Sequence, residues 1–190
     1  TFNERSKLLI GRSLLIVCLM ALFYVYLRLF REQYYNSKRI VTLLLLMIVG
    51  FCGGTSLIIT YASPSLIYII PFAILPIIVS TFFDTRTALY ANYITIFISS
   101  IVVPSPFEFV LLQATAGMVT ISTLRDLSQR SQLVRTAIII IITYCLFFLG
   151  YGLISDSSIF EVNWINFVFF LINGILLLFA YPFIYIIEQI

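Results

Sequence analysis

Amide side chains within apolar stretches are the residues of this chain best suited to build a specific polar site. Near the C-terminus, Asn166 and Asn173 are seven positions apart and Asn163 lies three before Asn166, so all three share one helical face. Two further amides, Asn92 and Gln113, lie deep in other apolar stretches. Buried amides need hydrogen-bond partners. Three interpretations stay open: contacts between helices, a polar pocket for a small ligand, or a signal path into the last helix.

The chain lacks the residue types that most catalytic sites use. It contains no histidine, which excludes helical His-Glu-x-x-His metal sites, His-ligated haem and nucleophiles paired with histidine. The two lysines, Lys7 and Lys38, lie at the ends of apolar stretches, which excludes a Schiff base deep in the interior. We therefore predict no catalytic residue, no cofactor-binding residue and no metal ligand in this chain.

Long apolar stretches must position these amides. Hydrophobic residues make up 62% of the 190 residues and charged residues 10%, which leaves too little polar surface to cover a soluble core. Stretches near 20 residues are long enough to cross a bilayer as helices. We predict an all-α, polytopic membrane protein, a single seven-transmembrane helix bundle over residues 1–190. The predicted spans are roughly 8–27, 40–61, 65–83, 87–103, 107–124, 136–154 and 162–187.

Basic residues fall mainly on one side of these spans, as expected for cytoplasmic loops. The sparse side holds Arg5, Lys7 and Arg12 of the 11 basic residues, and its later turns contain Glu108, Asp156 and Glu161. The other side holds Arg28, Arg31, Lys38, Arg39, Arg86, Arg125, Arg130 and Arg135. The count predicts the N-terminus outside and the C-terminus in the cytoplasm.

Prolines and glycines predict where the helices bend and where they pack closely. Pro71 and Pro76 should each remove a backbone hydrogen bond from the third span and bend it. Pro182 lies near the inner end of the seventh span, which makes it a candidate transmission position. In the second span, Gly50, Gly53 and Gly54 lie near one helical face and should let a neighbouring helix approach closely. The fifth span should allow the same at Ala114, Gly117 and Ile121.

The order of several loose motifs resembles the seven-transmembrane module of bacterial receptors coupled to an intracellular HD phosphohydrolase, the PgpH-like cyclic di-AMP phosphodiesterases. The resemblance covers essentially the whole chain. The segments that carry it are Tyr34–Arg39, Pro71–Pro76, Phe83–Ala88, Phe107–Phe109, Ser128–Ser131 and Ala180–Glu188.

This resemblance implies a membrane-embedded module that senses and transmits a signal between an extracytoplasmic sensing domain before Thr1 and a cytoplasmic HD domain after Ile190. The HD domain would hydrolyse cyclic di-AMP, and its divalent metals would be held outside this chain. The expected partners are the lipid bilayer and these two covalently linked domains, a homodimer is compatible with the layout, and no nucleic acid is expected. The expected location is the bacterial inner (cytoplasmic) membrane.

A small-solute-binding or transport subunit, such as the membrane-embedded component of an energy-coupling transporter, is the alternative. The length and hydrophobicity of the chain suit such a subunit, and the asparagines could line its pocket. The odd number of predicted spans and the absence of internal repeats favour the receptor module.

Overall fold

The computed structural model describes residues 2–124, 130–155 and 164–188, and every regular element within these ranges is helical. A short 3₁₀ helix, η1, lies between the third and fourth α-helices. In chain order the elements are α1 (Phe2–Phe30), α2 (Glu32–Tyr35), α3 (Lys38–Tyr61), η1 (Pro64–Ile69), α4 (Ile74–Phe82), α5 (Thr85–Ser100), α6 (Pro106–Thr123), α7 (Arg130–Ser155), α8 (Ile165–Leu177) and α9 (Ala180–Glu188).

The apolar stretches of the sequence coincide with these helices, which confirms the all-helical membrane fold. Five stretches in the described part of the chain are long and apolar enough to cross a bilayer: Glu4–Phe30, Lys38–Tyr61, Pro64–Phe82, Gln132–Ile154 and Ile165–Ile187. The predicted fourth and fifth spans coincide with α5 and α6, which have 16 and 18 residues. Seven crossings and their orientation therefore stay predictions.

Two of the predicted spans are each broken into two helices. The third span stops at η1 and restarts as α4, and the seventh stops at α8 and restarts as α9. Pro76 and Pro182 are the third residues of the restarting helices, where the backbone N–H has no partner within the helix. The prediction that Pro76 removes a hydrogen bond was therefore wrong, and Pro71 alone interrupts the third span.

The broken helices pack against each other in pairs, with η1 against α8 and α4 against α9. The centre of the bundle lies at α4 and α5. All residues of α4 from Ile74 to Val79 are buried, and α5 contacts α1, α3, α4 and α6. An uninterrupted buried stretch is typical of a helix with neighbours on every side.

The first helix packs against this bundle only through its C-terminal half. From Glu4 to Cys18 no residue is buried, and every residue except Ser6 is exposed. The buried residues of α1 are Phe23, Tyr26 and Leu27, close to its C-terminal end. The core contacts of α1 therefore begin near Leu19 and Met20.

Glycines that permit close helix packing lie in α6 and α8 rather than in α3. A Cβ atom added at Gly50, Gly53 or Gly54 would meet nothing within 4 Å, so the predicted close approach to α3 was wrong. A Cβ at Gly174 would lie 2.3 Å from Cδ1 of Ile141, and one at Gly117 would lie 2.1 Å from Nδ2 of Asn92. These two positions have no room for a larger side chain.

Candidate functional site

The break in the third span leaves backbone carbonyls that need a donor from elsewhere. Pro71 has no N–H, and the next N–H, that of Phe72, donates to the Ile70 oxygen at 2.9 Å. In a continuous helix the Phe72 N–H would instead donate to the carbonyl of Tyr68. The Tyr68 oxygen thus loses its usual partner inside the bundle, where an unpaired polar group is costly.

Asn173 of α8 supplies the missing donor. Its Nδ2 lies 2.8 Å from the Tyr68 oxygen and 2.8 Å from the Ile70 oxygen, and it can donate one hydrogen to each. The side chain is fully buried. A single amide of the seventh span therefore stabilises the break in the third span.

Other buried polar side chains extend this contact to two more helices. The Tyr68 hydroxyl donates to Oε1 of Glu108 at 2.5 Å, and the Tyr144 hydroxyl donates to Oε1 of Gln113 at 2.6 Å. The Tyr144 hydroxyl also lies beside the side chain of Asn173. We call Tyr68, Glu108, Gln113, Tyr144 and Asn173 the polar seam. It connects η1, α6, α7 and α8 through hydrogen bonds.

Aromatic rings pack against the two tyrosines of the polar seam. The ring of Phe170 lies 5.5 Å from that of Tyr68, 5.2 Å from that of Tyr144 and 5.3 Å from that of Phe148. Such ring pairs stabilise a packed core beyond the area they bury. Hydrogen bonds in a dry interior are stronger than in water, and breaking one is correspondingly costly.

A second polar cluster joins α1 to α5 at the opposite end of the third span. Arg31 donates from Nη2 to Oδ2 of Asp84 at 2.6 Å and from Nε to Oδ1 at 3.0 Å. Asp84 also caps α5, since Oδ2 accepts from the backbone N–H groups of Arg86 and Thr87. Partial burial alone would raise the pKa of Asp84, but the hydrogen bonds from Arg31 and Thr87 outweigh it and lower the pKa below its ordinary value.

Among the described residues, no three side chains of the kinds that bind metals lie together. The polar seam holds η1, α6, α7 and α8 at defined positions through hydrogen bonds. A family model described as a 7TM receptor with intracellular HD hydrolase matches residues 6–190. The chain belongs to this family. Comparisons with curated proteins and with solved structures found no match.

Membership of this receptor family confirms the resemblance that the sequence motifs indicated. The family joins a seven-transmembrane domain to a hydrolase domain inside the cell.

The structure brings two of the predicted amides into the polar seam and leaves the others outside it. Gln113 and Asn173 belong to the seam. Asn92 is fully buried against Gly117 and neither of its side-chain polar atoms has a described partner. Asn166 is buried, and its Oδ1 has no partner among the described residues. Asn163 lies outside the described residues.

The remaining predicted positions do not take part in the seam. Pro182 is exposed in the first turn of α9. Arg125 lies outside the described residues, and Arg130 begins α7 with a side chain that is not described. The other basic residues are exposed, namely Lys38, Arg39, Arg86 and Arg135.

Sequence reasoning missed Tyr68, Glu108 and Tyr144. Tyrosines are frequent in this chain, and neither Tyr68 nor Tyr144 stands out by spacing. For Glu108 a signal existed, because an acid two residues after Pro106 is expected in the first turn of a helix. The sequence placed it near a span end, whereas the structure buries it against Tyr68.

Proposed function

We propose that this chain is the sensing and transmission module of a bacterial receptor, and that it couples an event outside the cell to an HD domain in the cytoplasm. In this proposal residues 1–190 form one domain that crosses the cytoplasmic membrane seven times with its N-terminus outside. The excess of basic residues on one side supports that orientation. Cyclic di-AMP is the proposed substrate of the HD domain, on the strength of the resemblance to PgpH-like phosphodiesterases.

The observation that carries the proposal is the pair of hydrogen bonds from Asn173 to the break in the third span. They connect α8 to η1, while α9 packs against α4. A change in the position of η1 or α4 would therefore act on the seventh span at two points. The proposed hydrolase domain follows α9, so displacement of the seventh span is the proposed output. Such coupling requires two arrangements that a ligand favours unequally.

The chain itself is proposed to bind no cofactor, and the divalent metals belong to the HD domain. The homodimer stays a prediction. The transporter-like alternative would use the buried amides to bind a solute. At Asn92 such a solute could not bind from the side of α6, because Gly117 already lies against the amide nitrogen.

The test substitutes Asn173 in the full-length protein and measures cyclic di-AMP turnover together with melting temperature. Asn173→Leu removes the donor for both carbonyl oxygens, and we expect basal turnover to change by about twofold to thirtyfold. The matched control is Asn166→Leu, which makes the same change seven residues earlier on α8 without touching the break. We expect the control to alter melting temperature only.

A second variant keeps the proposal testable if Asn173→Leu does not fold. Pro182→Ala restores the N–H that a continuous α8–α9 helix would need, and it changes an exposed side chain. We expect it to fold and to change turnover as well. Unchanged turnover in every folded variant would refute the transmission role and leave the seventh span a membrane anchor.

A further inference from the structure

A groove between the inner part of α1 and the first three turns of α5 has the shape of a lipid site. Its volume is about 500 Å³, and its walls include Tyr26 of α1 and Leu89, Tyr93 and Phe97 of α5. From Arg86 to Phe97 a helix rises about 16 Å. That length is roughly half of the hydrocarbon thickness of a bilayer, so the groove extends through about one leaflet.

The groove is charged at one end and apolar along the rest of its length. Its charged lining residues are Arg31 and Arg86, both near the N-terminal end of α5, and the remaining lining residues are apolar or aromatic. The carboxylate of Asp84 neutralises Arg31. Arg86 is exposed, and no described carboxylate lies within ion-pair distance of its guanidinium. Glu32 lines a separate recess on the other side of Arg31 and not this groove.

We propose that the groove binds an anionic phospholipid, with the phosphate at Arg86 and one acyl chain along Leu89, Tyr93 and Phe97. One cation above an apolar channel matches an anionic headgroup joined to a hydrocarbon chain. The acyl chain enters from the side of the bundle, where the residues of α1 from Leu14 to Cys18 are exposed. The stacked rings of Tyr26 and Tyr90, with centroids 3.9 Å apart, connect the α1 wall to α5.

The bound lipid also links the two helices that form the groove. Arg31 and Asp84 join α1 to α5 by hydrogen bonds at the membrane edge, and an acyl chain would fill the space between the same helices deeper in the leaflet. Binding should therefore raise the melting temperature of the protein.

The experiment counts phosphatidylglycerol bound to the intact purified protein by native mass spectrometry and records the melting temperature with and without lipid. We expect Arg86→Gln to weaken phosphatidylglycerol binding about fivefold, the effect of one basic residue near a membrane surface. The matched control is Arg39→Gln, which removes another exposed basic residue at the start of α3, away from the groove. It should bind like the unchanged protein.

A second variant tests the acyl-chain half of the site without changing any charge. Leu89→Trp fills the groove and should weaken binding to at least the same extent, while the melting temperature without lipid verifies that the variant folds. Equal loss in Arg39→Gln and Arg86→Gln would overturn the proposal in favour of general surface electrostatics. Equal binding of phosphatidylcholine and phosphatidylglycerol would overturn the role of Arg86.

Two further experiments distinguish lipid binding from binding of a soluble anion or of a second protein chain. Glycerol 3-phosphate carries the phosphate without acyl chains, and we expect it neither to compete with the lipid nor to raise the melting temperature. Competition by this soluble anion would overturn the proposal. So would a dimer trapped through Phe97→Cys in a background without the three native cysteines, because it would assign the groove to a second copy of the chain.

Discussion

The first helix and the broken third span are equally apolar but pack in opposite ways. In their most apolar stretches, 6% of the residues of α1 are buried, against 56% of those in the η1–α4 segment. Both have comparable mean hydropathy. Apolar character lets a helix enter the membrane, but lipid is as apolar as the side chains and does not drive helices together. Small residues, carbonyls freed at a break and buried amides distinguish the packed region.

The sharpest test of this comparison removes one leucine from each region. Leu75 of α4 is 0% exposed and Leu9 of α1 is 63% exposed. We expect Leu75→Ala to lower the free energy of unfolding by about 2–5 kcal/mol because it leaves a cavity. Leu9→Ala should cost less than about 0.5 kcal/mol. Thermal unfolding in one detergent checks both, and similar losses would show that α1 packs more tightly than described.

Glycine substitutions compare a packed position with an open one, and we expect a smaller loss of stability than for Leu75→Ala. Gly174→Ala places a Cβ atom 2.3 Å from Cδ1 of Ile141, and overpacking of this kind costs about 1–3 kcal/mol. Gly53→Ala meets open space and should leave the melting temperature unchanged or raise it. Ile141→Ala removes both Cδ1 and Cγ1, which the added Cβ would meet at 2.3 and 2.4 Å. Gly174→Ala combined with Ile141→Ala should therefore cost less than the sum of the two single substitutions. A simple sum would show that Ile141 does not limit the space.

The contact that does hold α1 should show the smallest effect and a defined pH dependence. Asp84→Ala removes both the α5 cap and the partner of Arg31, and we expect a loss of about 1–2 kcal/mol. Asp84→Asn retains a capping side chain and should lose less. The exposed Glu32→Gln is the control, with no expected change.

The lowered pKa of Asp84 sets the sign of the pH dependence. A carboxylate with a lower pKa in the folded state stabilises the fold above its unfolded pKa, and that contribution is lost as the pH falls through the folded pKa. The difference in melting temperature between the unchanged protein and Asp84→Ala should be constant above about pH 5. It should shrink in more acidic buffer, and a difference that grew there would contradict the assigned interaction.

The sequence alone was sufficient to predict the helical segments and which amides would be buried. Apolar length and the cost of polar groups in the membrane are local properties, and they identified Asn92, Gln113, Asn166 and Asn173. They also indicated Asn163, which lies outside the described residues. The hydrogen-bond partners of these amides could not be predicted from the sequence. Asn173 bonds to carbonyls more than 100 positions earlier, and nothing local distinguishes it from Asn166.

For prolines and glycines too, the sequence predicted a local effect but not the arrangement of the neighbouring helices. The sequence indicated that Pro71 and Pro76 would disturb a helix but not that the helix would restart between them, which makes Pro76 harmless. Likewise, glycines on one face of α3 satisfy the rule for close packing, yet a Cβ atom added to any of them would meet no described atom within 4 Å. Whether a neighbour comes close depends on the whole bundle.

The attachment of α1 lies in its C-terminal half. Packing against the core begins at Leu19 and Met20, and Arg31, directly after the helix, pairs with Asp84. About 22 Å of helix separates Glu4 from Leu19, and about 18 Å separates Leu19 from Arg31. If the helix turned rigidly about Leu19, a sideways shift of about 5 Å at Glu4 would become about 4 Å at Arg31. Most of a displacement at the N-terminal end would therefore reach the turn that joins α4 to α5.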